Sequence, residues 1–214
     1  MSVRLALAAV ATFAAVARLK SRGSKSSELK SEQKEEIVRL VREGEVWKAR
    51  QMAQDLGMAE LDLSGADLSR TDLEKANLNK ANLENANLSD TNLREASFFG
   101  ANLTNANMMH AYMRDADLSS SNLKNANLTG ANLEMANLMQ ADLSGANLCD
   151  ANLYAASVEG AKIDGANLDG ANLFGTDFEV FDTGPSRKFI GIPFGYKVVR
   201  SPFVPGRTTL RRTE

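Results

Sequence analysis

Residues 81–95 read ANLEN ANLSD TNLRE, three units of five in one phase. That phase runs from residue 61 to 180 without insertion or deletion, from a central Leu63 to a central Phe178, which makes 24 units. Two places before each centre stands Ala, except at Leu61, Thr71, Thr91, Ser121 and Thr176; one place before it is usually Asn or Asp. A fixed short period takes precedence over any window-by-window reading. Five matches neither the 3.6 of a helix nor the 2.0 of a strand. It fits a chain that turns a corner every five residues, so that four units close a square coil. The central residue and the small residue two before it then point inward, and the other three face water. Each centre stacks on the one a coil away, as in 68/88/108/128/148/168. Coils spaced ~4.8 Å apart, as neighbouring strands are, make six coils a rod of roughly 29 Å. A buried Leu contributes ~1.5–3 kcal/mol. Asn at 82/102/122 and at 87/107/127/147/167 is placed to form side-chain ladders. No coil buries its apolar interior alone, so both ends of the rod need caps.

These units resemble the pentapeptide-repeat family, whose motif is A(D/N)LXX. The resemblance covers residues 61–180 and implies a mainly β fold, a right-handed quadrilateral β-helix of about six coils. The departures are Phe98, Met108, Met113, Val158, Ile163 and Phe178 at the centre, with Tyr112 and Lys162 where Asn or Asp is usual. Related rods occur in cyanobacteria and thylakoid lumens of chloroplasts, mostly without assigned activity. Some members, including quinolone-resistance proteins, use an acidic rod to imitate duplex DNA and occupy a topoisomerase.

The flanks differ from the rod in charge. Residues 1–30 and 181–214 each net +5, which leaves −12 on residues 31–180 from a total of −2. Residues 1–27 contain no acid, five Lys or Arg, five Ser, and an apolar run from Leu5 to Ala17. That run is short for a bilayer span. The segment reads as an organellar transit peptide, a secretory signal or anchor, or a helix of the mature protein, and the residues leave all three open. The first two imply an organellar (chloroplast or thylakoid) or exported location; the third implies a cytoplasmic one. Residues 28–58 read as a helical N-terminal cap. Ser31 is its expected N-cap, Ile37, Leu40 and Val41 form one face, and Gly44 suits the C′ position. A second helix over about 45–56 should present Trp47, Ala49, Met52, Ala53 and Leu56 and stop at Gly57, with Trp47 as a capping anchor. Residues 181–214 read as a C-terminal non-repeat flap of one or two short strands over the last coil, since four prolines in the segment break any helix. Beyond Pro205 the basic tail is expected to be mobile.

Chemistry is sparse. A single histidine, His110, supports no His-based metal cluster, and no P-loop or dinucleotide glycine pattern occurs. The lone Cys149 excludes an intramolecular disulfide framework. Carboxylates on a convex surface have no cause for a large pKa shift. The expectation is therefore no enzyme, no catalytic residue, no cofactor and no metal. The least regular stretch, residues 107–115, sends Met109, His110, Tyr112 and Arg114 outward, with Arg94 one coil below Arg114 and Phe99 on a neighbouring side. These are residue types enriched at protein interfaces, and they form the candidate protein-binding site. Tyr154 and Phe174 should stack as outward neighbours beneath the flap. The function that follows is a non-catalytic scaffold or protein-protein interaction module. The alternative is an acidic DNA mimic that binds a gyrase or other DNA-binding protein, since residues 125–180 hold eight acids against Lys162. Direct nucleic-acid binding is disfavoured by the −12 of the rod, whereas the basic flanks could meet an anionic membrane surface. The residues name no particular partner and no oligomeric state.

Overall fold

A computed structural model describes residues 26–176, 196–200 and 208–212, with side chains described for 31–176. Over the repeat, the residue one place before each centre pairs in parallel with its counterpart 20 residues on, from Asp62 with Asn82 to Asn152 with Asn172. Four units per coil follow directly. Each unit joins its neighbours by backbone bonds at fixed places: Asn82 N–H donates to Leu61 C=O (3.0 Å), Leu83 N–H to Asn102 C=O (2.7 Å) and Asn85 N–H to Thr104 C=O (2.9 Å). The corners leave room for only a one-residue bridge on each side of the square. The β structure is therefore a stack of isolated bridges, without long strands.

Inward side chains behave as the period requires. Leu63, Leu83, Leu103 and Leu123 are fully buried, as are Phe98, Met108 and Met113. Thr91 and Ser121 are buried too, and their hydroxyls are satisfied by Leu68 C=O (2.8 Å) and Leu118 C=O (2.6 Å). A hydroxyl fits this narrow slot because a unit-centre carbonyl lies within reach, from the same corner for Ser121 and from the coil below for Thr91. At nearly every corner the N–H of the next unit donates back to the central carbonyl, as Ala86 does to Leu83 (3.0 Å), and the residue before it has φ > 0, the type II pattern. Every fifth residue from Gly65 to Gly175 adopts this conformation, and fifteen of them are not glycine. The inter-coil bond made by each corner N–H offsets the steric cost of the left-handed region, roughly 1–2 kcal/mol for a side chain.

The amide ladders form over part of the expected columns, without the Asn122–Asn102 rung. Asn107 Nδ2 donates to Asn87 Oδ1 (3.1 Å), Asn127 Nδ2 to Asn107 Oδ1 (3.2 Å) and Asn102 Nδ2 to Asn82 Oδ1 (3.2 Å). Each Oδ1 also accepts the N–H two residues on, as from Thr129 to Asn127 (3.2 Å). At the next step Asn147 turns its amide to Thr129 Oγ1 (2.8 Å).

Two helices close the N-terminal end: α1 (Ser26–Arg42) and α2 (Val46–Asp55). Both stop in a Schellman turn. Gly44 has φ +76, with Glu45 N–H on Leu40 C=O (2.8 Å); Gly57 also has φ +76, with Met58 N–H on Ala53 C=O (2.9 Å). Ile37, Leu40 and Val41 of α1 and Val46, Ala49, Met52 and Ala53 of α2 join one apolar cluster with Leu61, Leu63 and the rest of the rod's interior. Two expectations need correction. Ser31 lies inside α1, because Glu28, Leu29 and Lys30 are good helix formers and the helix extends past it. Trp47 is no buried anchor. It lies roughly 150° round α2 from the mean of the buried residues, at 3.6 residues per turn, so Val46 takes the inner place and Trp47 is 51% exposed.

Arg50 caps the edge of the first coil. In each later coil, the carbonyls equivalent to those of Asn77 and Asn79 accept N–H groups from the coil below, as Ser97 does from Leu78 and Phe99 from Lys80. The first coil has no such neighbour. Instead, Arg50 Nη2 reaches Asn77 C=O (3.0 Å) and Asn79 C=O (3.1 Å). Arg50→Met should cost about 1.5–3 kcal/mol, the range for hydrogen bonds to a charged group. It should also bare a sheet edge, raising light scattering on storage. Unchanged melting and scattering would show that water serves these carbonyls equally well.

Near the C-terminus, β1 (Tyr196–Arg200) pairs antiparallel with β2 (Thr208–Arg212), with Val198 opposite Leu210. Arg211 and Arg212 thus belong to a strand and not to a mobile tail, because this register gives each a partner on β1. The expected targeting segment, and the expected contact of a flap with the last coil and with Tyr154 and Phe174, fall on residues outside the described set.

Candidate functional site

The rod has four sides, centred in the first coil on Leu63, Leu68, Leu73 and Leu78 and here termed sides one to four. Each repeats every 20 residues. Side three carries Arg94, Tyr112 and Arg114 together, all exposed; Leu93 N–H meets Tyr112 C=O (2.7 Å) and Glu95 N–H meets Arg114 C=O (3.0 Å). The other candidates lie elsewhere. Phe99 is exposed on side four. Met109 is half-buried on side two. His110 forms the corner between sides two and three with φ 56, and its imidazole lies over Gly130, where a Cβ would collide with it. The six residues are therefore three on one side and three on its two neighbours.

Tyr112 interrupts the amide column of side three. Asn92 Nδ2 donates to Asp72 Oδ1 (2.8 Å), and Asn152 Nδ2 to Asn132 Oδ1 (3.2 Å), but the coil between them carries a phenol. Its ring is 55% exposed. Arg114 binds Asp115 Oδ2 through Nε (3.3 Å), lies 3.5 Å from Glu134 Oε1 through Nη1, and touches Met135 Sδ through Nη2 (3.8 Å). Farther along the same side, Tyr154 and Phe174 stack at 5.6 Å between centroids and 13° between planes.

The described residues include seven large apolar side chains that are well exposed. Tyr112, Met135, Tyr154 and Phe174 are on side three, and Phe99 and Met139 on side four. The seventh, Trp47, lines a groove of about 320 Å³ with Asp72, Glu74 and Asn77, which belong to those same two sides. Sides one and two carry none. The sequence reading found Tyr112 and Phe99 but left Met135, Met139 and Trp47 out of the site. The signal for Met135 and Met139 was the 20-residue coil, which aligns them with Asp115 and Ser119. Nothing in the sequence placed Trp47 there.

Two larger grooves flank the helices, of about 540 and 520 Å³. Lys34 lines both, and it is held by Ser64 Oγ (2.7 Å) and Asp62 Oδ2 (3.3 Å). Burial alone would raise the Asp62 carboxyl, but Ser64 and the Lys34 ammonium outweigh it and hold it below its ordinary value. Asp142 behaves alike: burial raises it, while Ser144 and Lys124 lower it further. Hydrogen bonding from Arg39 lowers Glu36. Carboxyls depressed in the folded state take up protons later than those in the unfolded chain. Their stabilisation is complete above the ordinary carboxylate range and is lost as pH falls through the depressed values. The melting temperature should therefore hold from neutral pH to about 5 and drop below about 4. A melt by circular dichroism at each pH measures this, and a fall already at pH 6 would contradict it. Burial, with Asp150 and Asp169, pushes the Cys149 thiol up, away from the reactive thiolate. Among the described residues no group of three His, Cys, Asp or Glu could hold a metal ion, and no helix is long and apolar enough to cross a membrane.

The acidic surface is partly neutralised. Asp142 pairs with Lys124 (3.3 Å) and Lys162 (3.8 Å), and Glu134 with Arg114.

Comparison with known proteins bears on the repeat alone. A family model described as "Pentapeptide repeats" matches in 8 copies, from 58–94 through to 141–179, covering residues 58–179. Among solved structures, HetL, a pentapeptide-repeat protein involved in heterocyst differentiation regulation from the cyanobacterium Nostoc sp. strain PCC 7120, is 37% identical over 56% of this chain, with a TM-score of 0.41. The match spans 62% of HetL's own length. A pentapeptide-repeat protein from the cyanobacterium Cyanothece 51142 is 29% identical over 60% of this chain and 93% of its own, with a TM-score of 0.36. Another, from the Arabidopsis thaliana thylakoid lumen, is 30% identical over 55% of this chain and 64% of its own, with a TM-score of 0.18. No match to a protein of curated function was found. With more than half of its length in matching repeats and one coil for every 20 residues, the chain belongs to the pentapeptide-repeat family, whose fold is the right-handed quadrilateral β-helix.

Proposed function

We propose that this protein is a non-catalytic scaffold that docks a protein partner on sides three and four of the rod. One observation carries the reading: the exposed large apolar side chains of the described residues gather on those two sides and are absent from the other two. A soluble rod scatters such residues singly when nothing selects them. Aromatic, methionine and arginine side chains together are the composition of interface centres. Phe99, Tyr112 and Arg114 supply it in the middle coils, with Arg94 beside them. Met109 and His110, round the corner on side two, form the rim. The test is a pull-down from native extract with a variant carrying Tyr112→Ala and Arg114→Ala. Both residues are exposed, so the variant should melt like the parent and lose its partner. Undiminished recovery would end the reading. A DNA-duplex mimic requires uncompensated acids, and the pairs at Asp142 and Glu134 remove part of that charge. A gyrase supercoiling assay is therefore expected to show no inhibition.

A further inference from the structure

Side three is complementary to itself. Its column of residues one place after the centre runs, coil by coil, Glu74, Arg94, Arg114, Glu134, Tyr154, Phe174. A two-fold axis lying in the face and across the rod, between the Arg114 and Glu134 coils, turns this column against an inverted copy of itself. Arg114 then faces Glu134 of the second copy, twice, and Arg94 faces the second copy's Tyr154, twice. In the column one place before the centre, Tyr112 faces Asn132. We propose that the third side docks a second copy of this chain in an antiparallel two-fold pair. This rests on the reading of that side as an interface and names its occupant.

The single copy leaves unused some of the groups such a pair would use. Arg94 makes no ion pair among the described residues, and its guanidinium is free to lie over the face of a tyrosine. Asn132 Oδ1 is occupied by Glu134 N–H (3.1 Å) and by the Asn152 amide (3.2 Å). Neither the Asn132 amide nitrogen nor the Tyr112 hydroxyl has a hydrogen-bond partner among the described residues, and across the axis one donates to the other. Arg114 and Glu134 already pair within the chain, so the axis merges two such pairs into a four-membered network of alternating sign.

Charge also selects the register. Moving the axis toward the N-terminus by half a coil, onto the Arg114 coil, brings Arg94 to Glu134 but sets Arg114 against Arg114 at the centre. Moving it by a whole coil sets Arg94 against Arg114 and Glu74 against Glu134. Moving it half a coil the other way sets Glu134 against Glu134. A parallel pair, about an axis along the rod, puts Arg114 on Tyr112 and Glu134 on Asn132 and sets Glu74 against Asp72, so it opposes like charges and matches no opposite ones. Like charges face to face disfavour these alternatives. The face is small, ~29 Å long by ~10 Å for three extended residues, well short of the ~800 Å² per partner of a standard interface. The pair is therefore weak and concentration-dependent.

Sedimentation velocity of the full chain from roughly 5 to roughly 500 µM covers the range such an interface needs. The expected result is a shift from monomer to dimer with rising concentration, weakened by added salt. Arg114→Glu alone and Glu134→Arg alone should each hold the protein monomeric, and the double exchange should restore the dimer; melts check that all three fold. A monomer at every concentration overturns the proposal, as does a dimer that ignores the exchanges or a double variant that stays monomeric. A monomer whose Tyr112→Ala, Arg114→Ala variant still loses its partner in the pull-down would show that the side docks a different protein. In that case the scaffold reading survives and the self-pairing falls.

Discussion

Phe98→Ala should lower the free energy of unfolding by about 3–5 kcal/mol, the usual cost of emptying an aromatic site in a core. Phe98 is fully buried, the one aromatic residue at a unit centre among the described residues. It sits between Leu78 and Leu118 in its column, and Phe98 N–H is fixed to Asp117 C=O at 2.7 Å. The backbone around it is tied to the coils above and below, so the walls have little freedom to collapse into the void. Phe98→Leu installs the residue that the repeat uses elsewhere and should cost less than about 1.5 kcal/mol. Urea unfolding followed by circular dichroism compares the two. Equal, small losses would mean that the ring does not fill the shaft as described.

Loss of register should be more damaging still. Deleting Asn125 alone should abolish the cooperative melt, because every later central residue moves one place along its side and its corner moves with it. Deleting residues 121–140 should leave a folded, cooperatively melting rod that is one coil, ~4.8 Å, shorter. That cut joins Ser120, a corner residue with φ 55, to Ala141, a fully buried first residue of a unit, so the phase is preserved. The contrast is a property of a stack in which each coil contacts only its neighbours. Small-angle scattering and thermal melts of both variants measure it. A single-residue deletion that folded as well as the whole-coil deletion would show that the five-residue phase does not hold the structure.

The period made the interior legible before any coordinates. An apolar centre and a narrow residue two places before it can share a shaft only if the chain turns at fixed corners, so Leu63 through Val158 could be placed inward one by one. The Asn ladders followed from the same arithmetic, as did the stacking of Tyr154 on Phe174 and of Arg94 below Arg114. The corners were half visible. Glycine stands at corners 145, 160, 165, 170 and 175, where φ > 0 suits it, yet fifteen other residues adopt the same conformation because the inter-coil hydrogen bond, not the residue type, holds the turn.

What needed three dimensions lies where the period stops or says nothing. The outward turn of Trp47 depends on which face of α2 meets the first coil. The Arg50 cap depends on carbonyls that only a stacked coil leaves open. The spread of the six candidate residues over three sides, and the addition of Met135, Met139 and Trp47, come from outward positions on which the repeat places no demand. Sequence alone determined the shaft, because burial constrains two residues in every five. The tertiary structure decided the surface, because which exposed side chains become neighbours depends on coil stacking and on how the helices seat against the first coil.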